Sequence, residues 1–502
     1  MRIRGKEIWW AIVAGCLTSL SWPPVGLWLA LFLGPAAHLV LVSQSANASD
    51  RQHRFMLHLV FLLSAWILPF HWVALHPIPI TALTSVLALL AYAMLFAATL
   101  AVLPRWLQRI GVGGSLLPMI LAWSLFDWLL GQTPFAMPWL RLGMAAAPSD
   151  WSLFWVRVVG PIGLTFLALS SVGVIESIRR KTRFKWVFLA VFLAMSLGPS
   201  AQSIWISSSR STDLTINDEN TPDELKLVLV QPGWSPEEWA NIADPTRLER
   251  LESLLIDTPR DSDALLLPET SLPPLTSEEA QAAVKHLSNR AGLPVIAGAI
   301  LIDSNAQASN AVISSESTYL KRHLVPFAEY VPFSSTIPFF SVFSVPAGGV
   351  AAYVPGDAME LFQVGNATAG VLICFESLFL RDGRTYARNG ADLLIVQTQD
   401  GWWRSGAPRS QHVSFTQLLA AASGLPVAQV SVDGTSALID AQGHIVLEHS
   451  EGGPVLETGR LPLSNVATPY RAMGDWIFCL SFVALAGWSI VSNSSLLKSY
   501  NA

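Results

Sequence analysis

The chain has 502 residues, 52% of them hydrophobic and only 13% charged, with 20 Trp and a mean hydropathy of +0.44. Soluble globular chains carry about 25% charged residues. The composition therefore excludes both a purely soluble enzyme and a disordered chain, and it indicates a membrane protein with a soluble part. The formal charge of −5 hides a division: residues 206–475 hold 31 of 36 acidic and 16 of 31 basic residues, a net of −15, and the rest of the chain is +10. An acidic block on a basic, apolar base lacks the basic face that nucleic acid requires.

Apolar runs approaching the ~20 residues of a spanning helix are predicted at 8–24, 26–42, 55–75, 80–102, 116–130, 158–175, 186–206 and 476–491. Seven precede the acidic block and one follows it. The first lacks a small-residue cleavage site and runs into Trp22-Pro23-Pro24, so it reads as a span rather than a signal peptide. With the N-terminus in the cytoplasm, the segments on that side hold Arg2, Arg4, Lys6, Arg51, Arg54, Arg105, Arg109, Arg179, Arg180, Lys181, Arg183, Lys185 and Lys498. The other side, leaving out the acidic block, holds Arg141 and Arg157. This bias predicts both termini inside and the block outside. Within the spans Asp127 is nearly the only ionisable residue, with Glu176 at a span end, so an ion path is disfavoured against an anchor with lipid-handling duty.

The outside block, 207–474, opens with a polar linker, 207–223, and is long enough for its own core. Short β-rich runs are predicted at 226–231, 264–268, 294–300, 311–314, 368–375, 392–397, 427–432 and 436–439, with helices at 245–255, 277–291 and 412–422. Strands alternating with helices indicate α/β architecture. The hairpin through Asp433-Gly434 predicts a mixed sheet.

Of three cysteines, Cys16 and Cys479 lie in spans and Cys374 is alone in the outside domain. A lone thiol at the end of a strand is either inert and buried or a nucleophile. Neither His286, His323, His412, His444 nor His449 has sequence neighbours that mark it as an activating partner. No HExxH, Cys-x-x-Cys or phosphate-cradling glycine loop supports metal or nucleotide chemistry. Glu269 follows an apolar strand in Pro268-Glu269-Thr270, and Lys321 opens a run ending Val325-Pro326-Phe327-Ala328-Glu329-Tyr330-Val331-Pro332. Singly, such a Glu or Lys reads as solvated surface.

Together, Glu269 in LLLPETSLP, Lys321 in its K-x-x-L-V-P-F-x-E-x-V-P run and Cys374 in GVLICFES resemble the Glu-Lys-Cys triad of the nitrilase superfamily. The layout of spans around that block is similar to the apolipoprotein N-acyltransferase family, including FAMPWLRLG at 135–143 and Thr468-Pro469-Tyr470-Arg471 before the last span. The resemblance implies a multi-span helical domain at 1–206, an αββα-sandwich domain at 207–474 and a last span with a cytoplasmic tail at 475–502. It also implies a cytoplasmic-membrane location with the catalytic domain periplasmic. The implied reaction moves a fatty acyl chain from a phospholipid to Cys374 as a thioester, then to the N-terminal amine of a diacylglyceryl-cysteine apolipoprotein. Glu269 is then the general base and Lys321 stabilises thiolate and oxyanion, with Glu329 and Glu376 in support; Glu376, two residues past Cys374, is expected on the same strand face.

The implied acyl groove draws on Trp234, Trp239, Trp402, Trp403 and the aromatic loop bearing Phe339, Phe340 and Phe343, followed by the glycine hinge at 346–349. No cofactor or metal is called for, and a monomer is expected. The family pattern is departed from at Gln399, Ala422, Leu425 and Asp433, and in Asp127-Trp128-Leu129-Leu130-Gly131. Two alternatives accompany the transferase reading: a membrane-tethered amidase for small substrates, and a divergent lipoprotein-binding relative without activity.

Overall fold

The computed structural model describes residues 5–45, 50–77, 79–109, 116–132, 134–179, 224–241, 244, 246–333, 336, 353–403, 406–450, 452–476 and 478–480. It divides into two compact units. One is built from Met1–His71, Val86–Ile216 and Met473–Ala502, the other from Trp72–Ser85 and Asn217–Ala472.

The described part of the first unit is helical: α1 Gly5–Ser19, α2 Ala30–Gln44, α3 Arg51–Ile67, α4 Pro79–Arg109, α5 Leu117–Leu129 and α6 Asp150–Arg179. The predicted run at 186–206 and, apart from 476 and 478–480, the run at 476–491 lie outside the described residues. Among the described residues, two helices, Pro79–Arg109 and Asp150–Val172, are long and apolar enough to cross a membrane, and Ala30–Gln44 and Leu117–Leu129 are shorter apolar helices. Glycine sets how closely α1 packs: a Cβ on Gly15 would meet Ser64 Cβ at 2.6 Å, and one on Gly34 of α2 would meet Thr18 N at 2.6 Å. Gly160, with φ 69°, breaks α6 just before Pro161. The buried Asp127 of α5 fastens the 135–143 segment. It accepts from Thr165 Oγ1 at 2.6 Å and Leu142 N at 2.9 Å, while Arg141 Nε donates to its carbonyl at 2.9 Å.

The second unit holds two six-stranded sheets. The first has the order β12-β1-β2-β3-β4-β5, with β1 Glu224–Gln231, β2 Ala264–Leu266, β3 Val295–Ile302, β4 Ala308–Ile313, β5 Thr318–Leu320 and β12 Val455–Pro462. The second has the order β11-β10-β9-β8-β7-β6, with β6 Leu361–Val364, β7 Ala367–Ile373, β8 Leu393–Thr398, β9 Val427–Ser431, β10 Ser436–Ile439 and β11 Ile445–His449. Both sheets are mixed: β1, β2 and β3 run parallel, as do β7, β8 and β9, while β9 and β10 form the expected antiparallel hairpin.

Alternation along β1 shows why apolar residues occupy both of its faces. Leu225, Leu227 and Leu229 join Ala369, Val371 and Ile373 of β7 in the layer between the sheets. Val228 and Val230 face the other way, into a core shared with Val284 and Leu287 of the helix Ser277–Ala291. That helix matches its predicted bounds because both ends carry signals: Thr276 forms a capping box with Glu279, and Gly292 closes it in the left-handed conformation.

Several elements differ from expectation. The run 368–375 stops at Ile373, and Cys374–Leu378 turns into a 3-10 helix. The helix expected at 412–422 is longer, Gly406–Ser423. Strands β5, β6, β11 and β12 were not foreseen; β11 and β12 are partly exposed and rich in polar residues, so they carry little apolar alternation.

Gly298 of β3 lets the turn bearing Glu269 lie against the strand. A Cβ there would approach Thr270 N to 2.6 Å and Glu269 Cα to 2.7 Å, and those atoms are backbone or anchored to it. Gly298→Ala is expected to displace Glu269 and cut acylation of Cys374 by about a hundredfold, with the protein still folded by circular dichroism.

Candidate active site

The site residues come from the carboxyl ends of strands in both sheets, where ligand sites gather in open α/β sheets. Glu269 follows β2, Lys321 follows β5, Cys374 follows β7, and Thr398 and Asp400 end β8. Lys321 is 1% exposed and Glu269 6%. The Lys321 ammonium donates to Glu329 Oε1 at 2.7 Å and to Glu269 Oε1 at 3.3 Å. Asn310 Nδ2, from β4, donates to the same Glu269 oxygen at 2.7 Å. Glu329 in turn accepts from Val325 N at 2.8 Å, which fixes the chain after Lys321.

Electrostatics in this enclosure assign resting protonation states. Burial pushes the Glu269 carboxyl above its ordinary value, against the pull of Lys321, and Glu329 adds to the rise. Burial alone would lower the Lys321 ammonium, but Glu329, Glu269 and Cys374 outweigh it and hold the ammonium well above its usual range. Cys374 keeps part of its surface open. Its thiol is raised well above its ordinary value by burial and by Glu269, and Lys321 only partly offsets this. Lys321 thus pulls the thiol toward ionisation, while burial and Glu269 pull it the other way and prevail.

Two backbone strains mark the site. Thr270 and Cys374, each with φ 51°, occupy the left-handed region although neither is glycine. The 3-10 turn also corrects the expectation for Glu376, which does not share a strand face with Cys374. Glu376 is fully buried and points to the chain just after Lys321. It accepts from Arg322 N at 2.7 Å, His323 N at 3.0 Å and Ile373 N at 2.8 Å, and from the Tyr319 hydroxyl at 2.8 Å. This one carboxylate ties the lysine loop to the cysteine turn.

Around the triad, Trp239 donates from Nε1 to Thr270 Oγ1 at 2.7 Å and packs edge-on to Trp402 at 4.5 Å. The row continues through His76, stacked on Trp402 at 5.6 Å, to Trp403 and Trp72, whose rings are 4.3 Å apart. Trp234 lies under the Arg247 guanidinium at 3.9 Å, and Arg247 also donates to Thr270 O at 3.1 Å. Phe339, Phe340 and Phe343 of the expected acyl groove lie outside the described residues. Buried Gln399 uses Oε1 to accept from Gly401 N at 3.0 Å.

Asn310 and Asp400 are not candidates from sequence, and His412 is considered there without any neighbour to mark it. His412 Nδ1 lies 2.8 Å from Asp400 Oδ1, and its Nε2 lies 3.2 Å from Cys374 O. Adjacent parallel strands end side by side, so Asp400 after β8 belongs beside Cys374 after β7; that was the usable signal. For His412, half-way along a helix, sequence held none. Cys374, Asp400 and His412 each offer a ligand atom within 4.8 Å of the others. Each imidazole nitrogen lies within hydrogen-bond range of an acceptor oxygen, Nδ1 of Asp400 and Nε2 of Cys374.

Glu376→Ala would strand three backbone donors and is expected to cost roughly 3 kcal/mol or more, read from thermal unfolding. For His412, burial lowers the imidazole but Asp400 overrides it, so the folded value is raised above 6.5. The folded state thus holds this proton where the unfolded chain releases it. That contribution is full below 6.5 and is lost as pH rises through the raised value. Asp400→Asn is expected to flatten this loss in melting curves taken from pH 6 to 9.

Residues 14–174 match the apolipoprotein N-acyltransferase N-terminal domain, and residues 263–468 match the carbon-nitrogen hydrolase domain. Apolipoprotein N-acyltransferases of Chlorobaculum tepidum and Vibrio vulnificus are each 24% identical to this chain; the alignments cover 95% of it and 94% and 96% of theirs. That of Brucella melitensis is 28% identical over 72% of this chain and 70% of its own. Among solved structures, a carbon-nitrogen hydrolase superfamily protein of Xanthomonas campestris covers 48% of this chain and 91% of its own at 18% identity and a TM-score of 0.36. A Saccharomyces cerevisiae member of the nitrilase superfamily covers 49% and 93% at 17% identity and a TM-score of 0.37. With a helical N-terminal match, a hydrolase-type C-terminal match and relatives aligned nearly end to end, the chain is similar to apolipoprotein N-acyltransferases along most of its length.

Proposed function

We propose that the chain transfers a fatty acyl group from a phospholipid to Cys374 and then to the N-terminal amine of a diacylglyceryl-cysteine lipoprotein. The observation that carries the reading is the buried ammonium of Lys321 held between Glu269 and Glu329 beside the lone thiol. As the sulfur attacks the ester carbonyl, Glu269 takes its proton; a raised carboxyl is the better matched base near neutral pH. The new S–C bond forms, negative charge gathers on the carbonyl oxygen, and Lys321 supplies the fixed positive charge opposite it. The C–O bond then breaks, and Glu269 returns the proton to the departing lysophospholipid alcohol. In the second half the lipoprotein amine attacks the thioester, Glu269 accepts a proton from it, and the thiol is restored.

Domain bounds of 1–206, 207–474 and 475–502 belong to this reading, as does a cytoplasmic-membrane location with both termini inside and the catalytic domain periplasmic. The exposed apolar flank of α4 supports the membrane part: Leu83, Leu87, Met94 and Leu95 are 54%, 48%, 53% and 60% exposed. An uncovered face of that kind suits hydrocarbon rather than water. Trp239, Trp402 and Trp403 suit an acyl groove, since their row starts at the residue after the base. Water exclusion by such a lining favours the amine over hydrolysis.

Full-length protein in detergent, given phospholipid with a labelled acyl chain, is expected to form a hydroxylamine-sensitive adduct that a diacylglyceryl lipopeptide discharges to amide. Cys374→Ser should abolish the adduct. Lys321→Ala and Glu269→Gln should slow it at least a hundredfold, about 2.7 kcal/mol or more of barrier for the lysine. An adduct that persists in Cys374→Ser removes this thiol from the reaction; free acid released from small amides without lipid would identify a tethered amidase instead.

A further inference from the structure

The helix Gly406–Ser423 sends one polar side chain, His412, to the turn that carries the nucleophile. Its Nε2 lies 3.2 Å from Cys374 O and 2.9 Å from Ser377 Oγ, and the Ser377 hydroxyl itself donates to Cys374 O at 2.9 Å. On the ring's other side, Nδ1 lies 2.8 Å from Asp400 Oδ1 and 3.2 Å from Thr398 Oγ1, which donates to the same carboxylate oxygen at 3.0 Å. Carbonyl and carboxylate oxygens only accept, so the ring can donate to Cys374 O through Nε2 and to Asp400 Oδ1 through Nδ1, and the Ser377 hydroxyl lies in donating range of the same carbonyl. His412 is 1% exposed and Asp400 3%, so the pair sits away from bulk water.

Cys374 needs such a holder. With φ 51° it occupies a backbone region that only glycine enters without strain, and such a residue relaxes unless its surroundings over-determine it. Relaxation would swing the sulfur off the line to Glu269 and Lys321, because both sit on the opposite sheet and cannot follow. Two donors converging on the carbonyl of Cys374 lock the peptide that sets the sulfur's direction.

We propose that His412, oriented by Asp400 and assisted by Ser377, is a positioning residue for acyl transfer that keeps Cys374 in its strained conformation with the sulfur aimed at Glu269 and Lys321. This rests on Cys374 as the acyl carrier. It assigns His412 no proton transfer: the ring touches the carbonyl of the nucleophile's peptide, and the base remains Glu269.

The test is acyl-adduct formation by the full-length chain with labelled phospholipid, resolved into a maximal rate and a half-saturating lipid concentration, with melting temperatures measured alongside. His412→Leu is expected to lower the maximal rate about a hundredfold at unchanged lipid half-saturation, as misplacement of a reacting atom does. His412→Gln, which returns a donor near the Nε2 position, should recover most of that loss. Ser377→Ala, which leaves His412 in place, should fall about tenfold by the same reasoning, and it decides the question if His412→Leu does not fold. A folded His412→Leu at the wild-type rate, equal losses in the Leu and Gln variants, or Ser377→Ala at the wild-type rate would each overturn the proposal. Wild-type protein that forms no adduct would instead overturn the acyl-carrier reading.

Discussion

A cation taken out of water must be matched by anions at hydrogen-bond range, or the fold would discharge it. Lys321 meets that demand with Glu329 at 2.7 Å and Glu269 at 3.3 Å. Two carboxylates on one ammonium leave an excess of negative charge, and most of the site's character follows. Burial lifts the Glu269 carboxyl, with Glu329 adding to the rise against the pull of Lys321, and burial together with Glu269 disfavours the Cys374 thiolate beside it. Charge can then reach the ammonium only as the reaction proceeds, on an oxygen that is not there at rest. Such an arrangement stabilises a transition state more than a ground state.

The same demand binds the site to the fold. Glu269 and Lys321 belong to the sheet containing β1–β5, Cys374 to the sheet containing β6–β11. Their meeting depends on the apolar layer between the sheets, where Leu227 and Leu229 pack with Val371 and Ile373. Glu376 adds a polar joint across that division, since its acceptors hold Arg322 N and His323 N from one sheet's loop and Ile373 N from the other sheet's strand. A fully satisfied buried network of this kind fixes one arrangement where apolar packing alone would tolerate several.

Legibility in the sequence followed the range of the forces involved. Segments with local signals read well: Ser277–Ala291 has a capping box at one end and a left-handed glycine at the other, and Ser436–Ile439 follows a turn dipeptide. Elements held mainly by partners did not. β12 pairs antiparallel with β1 across more than two hundred residues of chain, and its own polar sequence gives no hint of this. The three triad positions were legible because each sits in a distinctive run of neighbours. Asn310 and His412 were not, since their roles arise from contacts at sequence distances of 41 and 38 residues. Glu376 was legible as a position and misread in direction, because the chain leaves the strand at Cys374 rather than continuing it.

A resting thiol that keeps its proton has a further consequence. Oxidants, alkylating agents and stray disulfides attack the ionised sulfur, so a sulfur held in its neutral form offers them little. On the proposed reading, such chemical silence, broken only when an ester carbonyl arrives beside Glu269, would spare a half-open cysteine from side reactions between turnovers.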